Sequence, residues 1–208
     1  MTFVKICGIT NLEDALAAVD AGADALGFNF YKPSPRYIAP DAAREIINRL
    51  PTTILTVGVF VNEQSPQSVE ETARRASVTA VQLHGDESPD YCLEIENRYV
   101  IKALAAGADF DMQRALDYEV EAILLDTKDD ALRGGTGRVF DWSIALEVRR
   151  VVPKLYLAGG LGIDNIEDAI KSVDPFAVDA CSALEEMPGK KNHDRMRAFV
   201  KAIRSVKP

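Results

Sequence analysis

Histidine is nearly absent: His84 and His193 are the only two in 208 residues, and His193 falls in the last helical stretch. A metal centre built from several histidines is therefore excluded. Cysteine is also thin, with Cys7, Cys92 and Cys181 at wide, unpatterned spacings. An odd number so placed argues against a disulfide framework and against a CxxC zinc site, so reduced thiols are expected. Positive charge is in deficit, the formal net charge being −8. General nucleic-acid and anionic-membrane binders need a clustered basic footprint, so no nucleic-acid and no membrane partner is expected. Any anionic ligand has to be held by a few placed cations and backbone amides. No apolar run approaches the roughly 18 residues that span a bilayer, and MTFVKICGIT lacks the basic segment and apolar core of a secretion signal. A cytoplasmic protein is expected. Linkers, low-complexity tracts and domain-scale shifts in composition are missing too, which leaves a single domain over residues 1–208.

What the chain does have is alternation. Short runs rich in Val, Ile, Leu and Ala recur about every 25 residues, each followed by a charged stretch of helical period. The strands predicted are FVKIC, ADALGFNF, ILTVGVFV, AVQLH, YVIKAL, EAILLD, LYLAG and FAVDA. Between and after them lie helical stretches such as NLEDALAAVDAG, SPDYCLEIENR (88–98), DFDMQRALDY (109–118) and NHDRMRAFVKAIRSV. Asn11, Ser65, Ser88, Asp141 and Asn192 stand at N-cap positions. Near-continuous apolar strands linked by helices indicate a parallel sheet covered on its outside. Eight such units in this length predict an α/β fold, the (β/α)8 TIM barrel, with an open doubly wound sheet as the alternative.

In a barrel the carboxyl ends of the strands and the loops after them build the site. The polar exceptions collect there: Lys5 and Cys7, Gln82 and His84, Lys102, Asp126, and Asp179. Side chains alternate across a strand, so Lys5 shares a face with Cys7, and Gln82 with His84. A thiol beside a lysine is a reactive base, whereas a thiol in a strand is also an ordinary core residue; both readings of Cys7 stand. Asp126 closes ILLD, either capping the next loop or serving as an acid, since a carboxyl in partly desolvated surroundings gains proton affinity. His84 reads as a hydrogen-bonding support. Arg36, on the proline-braced loop GFNFYKPSPRYI, is a solvated charge or a bidentate carboxylate binder. LAGGLG, with Gly159 and Gly160, and DACSALEE, with Ser182 opening a short helix, follow strands seven and eight. Barrels bind phosphate between those loops, although a glycine pair also marks plain turns. RGGTGRVFDW, after strand six, is a loop able to close over a substrate.

In order along the chain, KICGIT, GFNFYKPSPRYI, GVFVNE, VQLHGDE, LLDT, GGTGRVFDW, LAGGL and FAVDACSALEEMPGKK together resemble the phosphoribosylanthranilate isomerase family of tryptophan biosynthesis. The resemblance implies an Amadori rearrangement of N-(5-phosphoribosyl)anthranilate to 1-(2-carboxyphenylamino)-1-deoxyribulose 5-phosphate, without cofactor or metal. It implies Asp126 as general acid on the ribose ring oxygen and Cys7 as general base on the C2 proton. It further implies Arg36 on the anthranilate carboxylate, Asp179 on sugar hydroxyls, and Gly159, Gly160 and Ser182 on the phosphate. The partner is then a small phosphorylated aminosugar, and the assembly a monomer or a homodimer. Three positions depart from the family pattern: Ala183 stands where glycine follows Ser182, Ile163 replaces a proline, and Asn192 replaces an aspartate. A methyl group at Ala183 crowds the phosphate amides; Asn192 still caps.

Two other readings fit parts of the pattern. A related sugar-phosphate barrel such as indole-glycerol-phosphate synthase would use lysine and glutamate, for which Lys5 and Lys102 are available. A catalytically silent barrel would need the phosphate loops but not Cys7 together with Asp126.

Overall fold

Runs buried on both faces have to become central strands, and all eight do. The structure, a computed structural model, describes residues 1–107, 110–126 and 142–206. β1 (Phe3–Ile6), β2 (Ala25–Asn29), β3 (Leu55–Phe60), β4 (Ala80–Leu83), β5 (Tyr99–Ala105), β6 (Ala122–Asp126), β7 (Leu155–Ala158) and β8 (Ala177–Ala180) pair in sequence order. β8 then closes on β1, with Lys5 opposite Asp179 and Ile6 opposite Ala180. That closure excludes the open doubly wound sheet.

Alternation sorts the strand residues into two cores. Outward-facing Val4, Ile6, Leu26, Phe28, Leu83, Leu125, Leu157 and Val178 pack under the helices. Inward-facing Ala25, Val57, Ala80, Ile101, Leu124, Tyr156 and Ala177 fill the barrel. Tyr156 lies edge-on to Phe3 at 6.4 Å between ring centroids and tilted against Phe176 at 5.9 Å, which plugs the amino-terminal end with aromatics. The polar side chains that line the cavity, Gln82, His84, Asp126 and Asp179 among them, lie toward the other end.

The helices are α1 (Leu12–Ala21), α2 (Pro40–Ile47), α3 (Pro66–Ala76), α4 (Pro89–Leu93), α5 (Gln113–Leu116), α6 (Ser143–Val151), α7 (Ile166–Val173) and α8 (His193–Ser205). Asn11, Ser65, Ser88 and Asn192 each accept the backbone N–H of the residue three positions on, as their cap positions predict. Asp141 lies outside the described residues, as does RGGTGRVFDW up to its last residue. α4 and α5 are shorter than their sequence patterns. After Leu93 the chain tightens into an Ile95 N–H to Cys92 carbonyl bond and turns left-handed at Asn97 (φ 58°), which drops Ile95 into the core. The sequence pattern also misses a hairpin, β9 (Glu185–Met187) and β10 (Lys190–Lys191), turning at Pro188–Gly189 with Gly189 at φ 82°. No helix among the described residues is long and apolar enough to cross a membrane.

Candidate active site

β1 and β8 put Lys5 and Asp179 side by side inside the barrel, Nζ to Oδ2 at 2.6 Å, with Lys5 wholly buried. The Cys7 N–H carries the ladder one residue past β1, to the Ala180 carbonyl at 2.9 Å. Gly8 then turns left-handed (φ 78°). Room for the thiol comes from Gly27, where a Cβ would stand 2.7 Å from the Cys7 sulfur. Lys5 and Cys7 thus share the inner face, as alternation requires.

Charge follows from that placement. A hydrogen bond from Cys181 outweighs burial, which opposes it, and with the Lys5 and Lys191 ammonium groups it holds the Cys7 thiol well below the ordinary thiol range. Burial alone would weaken the Lys5 cation, but Asp179 and Cys7 more than restore it. Burial pushes Asp179 up to about 7 despite the Lys5 cation beside it. Lys5→Met leaves Asp179 buried without a counter-charge. Urea melts should show a loss of about 3 kcal/mol at alkaline pH, shrinking as pH falls through neutral and the unpaired Asp179 takes up a proton. The Cys7 titration should move upward; an unchanged titration would show that Lys5 does not tune it.

Across the mouth, three strand steps round the barrel from β1, Asp126 ends β6. Its Oδ1 is buried and has no hydrogen-bond partner among the described residues. Its Oδ2 lies 3.6 Å from His84 Nε2, and Gln82 Nε2 fixes the other face of the imidazole at 2.8 Å from Nδ1. His84 thus stands between Gln82 and Asp126 at the cavity mouth.

Lys102 behaves differently. Its neighbours Ile101 and Ala103 face inward, so it faces out, buried, donating to the carbonyls of Leu83 (3.3 Å) and Gly85 (2.7 Å) and to Glu87 (2.6 Å). It pins the loop after β4, and the synthase reading loses the second of its lysines.

The other wall comes from the loops after β7 and β8. Gly159 (φ 92°) and Gly160 (φ 63°) are both left-handed, a backbone that side-chain-bearing residues rarely adopt. Asn165 braces this loop, accepting from Gly162 N–H at 2.9 Å and donating to the Gly160 carbonyl at 3.1 Å. It makes no side-chain cap to α7. Ser182 opens a one-turn 3-10 helix, Ser182–Leu184. The Ala183 methyl approaches Gly162 closely enough that a Cβ there would meet it at 3.3 Å. Cys7, Arg36, Gln82, His84, Asp126, Asp179, Gly159, Gly160 and Ser182 all line one cavity of about 400 Å³.

Arg36 is held by a partner the sequence did not announce. Its Nε lies 2.8 Å from Glu185 Oε1 and its Nη2 2.6 Å from Oε2, and the buried Lys191 donates to the same Oε1 at 3.0 Å. One edge of the guanidinium is thereby fixed, and no hydrogen bond from its Nη1 to another described residue is seen. Burial alone would raise Glu185, but its bonds from Arg36 and Lys191 hold it below the usual carboxylate range. Glu185 and Lys191 sit on β9 and β10. Pro-Gly between short charged runs was the available hairpin signal. Among the described residues no group of three His, Cys, Asp or Glu is placed to hold a metal ion.

A cation-flanked thiol across a barrel mouth from a carboxylate oxygen with no partner among the described residues points to the class: a (β/α)8 enzyme that moves protons by general acid–base catalysis. Residues 4–202 match the family model described as N-(5'phosphoribosyl)anthranilate (PRA) isomerase. The N-(5'-phosphoribosyl)anthranilate isomerase of Thermotoga neapolitana is 50% identical over 207 residues, 99% of this chain and 100% of the relative. A crystal structure of phosphoribosyl anthranilate isomerase in complex with reduced 1-(o-carboxyphenylamino)-1-deoxyribulose 5-phosphate superposes with a TM-score of 0.88 at 47% identity, over 98% and 99% of the two chains. Monomers generated from the dimeric Thermotoga maritima phosphoribosylanthranilate isomerase give 0.88 at 46% identity, over 99% and 100%. The chain belongs to the phosphoribosylanthranilate isomerase family.

Proposed function

We propose that this enzyme isomerises N-(5-phosphoribosyl)anthranilate to 1-(2-carboxyphenylamino)-1-deoxyribulose 5-phosphate, with Asp126 as acid and Cys7 as base. The observation that carries the assignment is the pair lining one cavity: a thiol held well below the ordinary thiol range by the Cys181 hydrogen bond and the Lys5 and Lys191 ammonium groups, and a carboxyl group with one oxygen that has no partner among the described residues. Protonated Asp126 gives its proton to the ribose ring oxygen as the anilino nitrogen pushes the ring open to a Schiff base. The Cys7 thiolate then takes the C2 proton, and the electron pair of that bond moves into a C1–C2 double bond, giving the enolamine. Protonation at C1 and loss of the C2 hydroxyl proton yield the ketone; one proton returns from the Cys7 thiol to Asp126, and the site is reset. Two groups with opposite protonation are required because one proton is given before the other is taken.

Binding follows the same geometry. The free edge of Arg36 takes the anthranilate carboxylate, Asp179 takes sugar hydroxyls, and the amides around Gly159, Gly160 and Ser182 take the phosphate. Gln82 and His84 position Asp126, and Lys5 keeps Cys7 charged. The enzyme works in the cytoplasm, as a monomer or a homodimer, on a small phosphorylated aminosugar.

Freshly made substrate is fluorescent through its anthranilate group, and its consumption tests the reading. Purified enzyme should quench that fluorescence with kcat/KM rising with pH along a limb below the ordinary thiol pKa of about 8.5. The sign follows from Cys7, which is active deprotonated and whose titration is shifted down. No turnover would favour the silent-barrel reading.

A further inference from the structure

Arg36 lines the cavity beside Cys7, whereas the two charged groups behind it, Glu185 and Lys191, do not. Glu185 takes Arg36 Nε at 2.8 Å and Nη2 at 2.6 Å, and the buried Lys191 ammonium bonds the same carboxylate at 3.0 Å. The hairpin that carries both is anchored from outside. Arg195 of α8 donates to the Glu185 carbonyl at 2.7 Å, Asp14 of α1 accepts the Lys191 N–H at 2.8 Å, and Thr10, after β1, donates to the Gly189 carbonyl. On its other side the Arg36 stem lies on the turn after Cys7, where a Cβ at Gly8 would meet its Cδ at 2.8 Å. Arg36 is clamped between that turn and the hairpin.

Aiming a cation with a carboxylate has a drawback, because a bidentate pair largely cancels its own charge. Arg36 with Glu185 alone would offer a second carboxylate little net attraction, and that carboxylate would also meet the field of the Glu185 anion. Lys191 changes the count. Two cations against one buried anion leave the cluster with net charge +1, and burial keeps salt from screening it. The remaining Lys191 donors are directed at the Cys181 carbonyl, at 3.2 Å, and the Cys181 sulfur, at 3.8 Å. Its charge is felt in the cavity, but its protons are held outside.

We propose that Glu185 and Lys191 are positioning residues that set a preference for an N-aryl group bearing a carboxylate: Glu185 aims Arg36, and Lys191 restores the positive charge that Glu185 cancels. The proposal rests on the reading of Arg36 as the carboxylate binder and deepens it. The charge of a group outside the cavity decides how tightly the ring carboxylate is held. An uncharged aryl group gains nothing from the cluster.

The test is steady-state kinetics of the full chain on N-(5-phosphoribosyl)anthranilate and on N-(5-phosphoribosyl)aniline, which lacks the ring carboxylate, both followed by chromatography of the product. Lys191→Met should raise KM for the first about tenfold and leave KM for the second within about twofold. Lys191 also lowers Cys7, so kcat falls on both substrates alike and the ratio of the two KM values is the readout. Adding Glu185→Gln removes the anion as well, leaves Arg36 as the only charge of the cluster, and should bring the ratio back toward wild type. Groups that merely held the hairpin would make the double variant worse than the single one. The double variant buries no unpaired charge of the cluster, so it decides the matter even where Lys191→Met does not fold. A ratio near wild type then sustains the proposal, and one as high as in Arg36→Met overturns it. An unchanged ratio in Lys191→Met, or a raised one that Glu185→Gln does not lower, also overturns it. Arg36→Met separates the two readings: a ratio raised there and not in Lys191→Met sinks this proposal alone, whereas an unchanged ratio in Arg36→Met removes Arg36 as the carboxylate binder.

Discussion

Cys7→Ala should lower kcat by about 10²- to 10⁴-fold, the range expected for losing a positioned general base, with KM within a few-fold of wild type. The thiolate acts on the C2 proton in the transition state, and the substrate's carboxylate and phosphate are bound elsewhere, by Arg36 and the glycine loops. Binding therefore survives while chemistry does not. Alanine also leaves the fold nearly untouched, because Cys7 is only partly buried and Gly27 supplies the space around it. The acid limb of the residual activity should disappear as well. A variant with more than a tenth of wild-type kcat would remove the proposed role.

Asp126→Asn should cost a similar factor, about 10²- to 10⁴-fold in kcat, for a different reason. Asparagine matches the carboxyl in shape and can keep its contact with His84, but it has no acidic proton to give the ring oxygen. The Schiff base then forms only by unassisted opening. Stability should hold, since Asp126 is partly exposed and its inner oxygen has no partner to lose among the described residues. A substrate analogue already open at C1 should react almost normally with this variant and remain slow with Cys7→Ala. Equal losses on the open analogue would merge the two roles into one.

Much of this arrangement is legible in the sequence, because parity and repeat are simple signals. Eight apolar runs at regular spacing dictate the barrel, and period-two alternation puts Lys5 with Cys7 and Gln82 with His84. Asn11, Ser65, Ser88 and Asn192 announce their helices through local chemistry. Lys102 shows the limit of the method. Its place near a strand end suggested the site, yet one step of parity from Ile101 sends it outward to Glu87. The Arg36, Glu185 and Lys191 cluster joins residues 149 and 6 positions apart through a hairpin too short to carry a periodic signal. Arg36 was visible as a candidate, but the carboxylate that orients it was not.

The central claim is that Cys7 breaks the C2–H bond and Asp126 opens the ring. Substrate carrying deuterium at ribose C2 separates the two steps through the isotope effect on kcat. Replacing the thiolate by the poorer base of Cys7→Ser makes proton abstraction limiting, so the effect should be larger there than in wild type. Slowing ring opening in Asp126→Asn should suppress it. An isotope effect equal in all three enzymes, or largest in Asp126→Asn, would contradict the account.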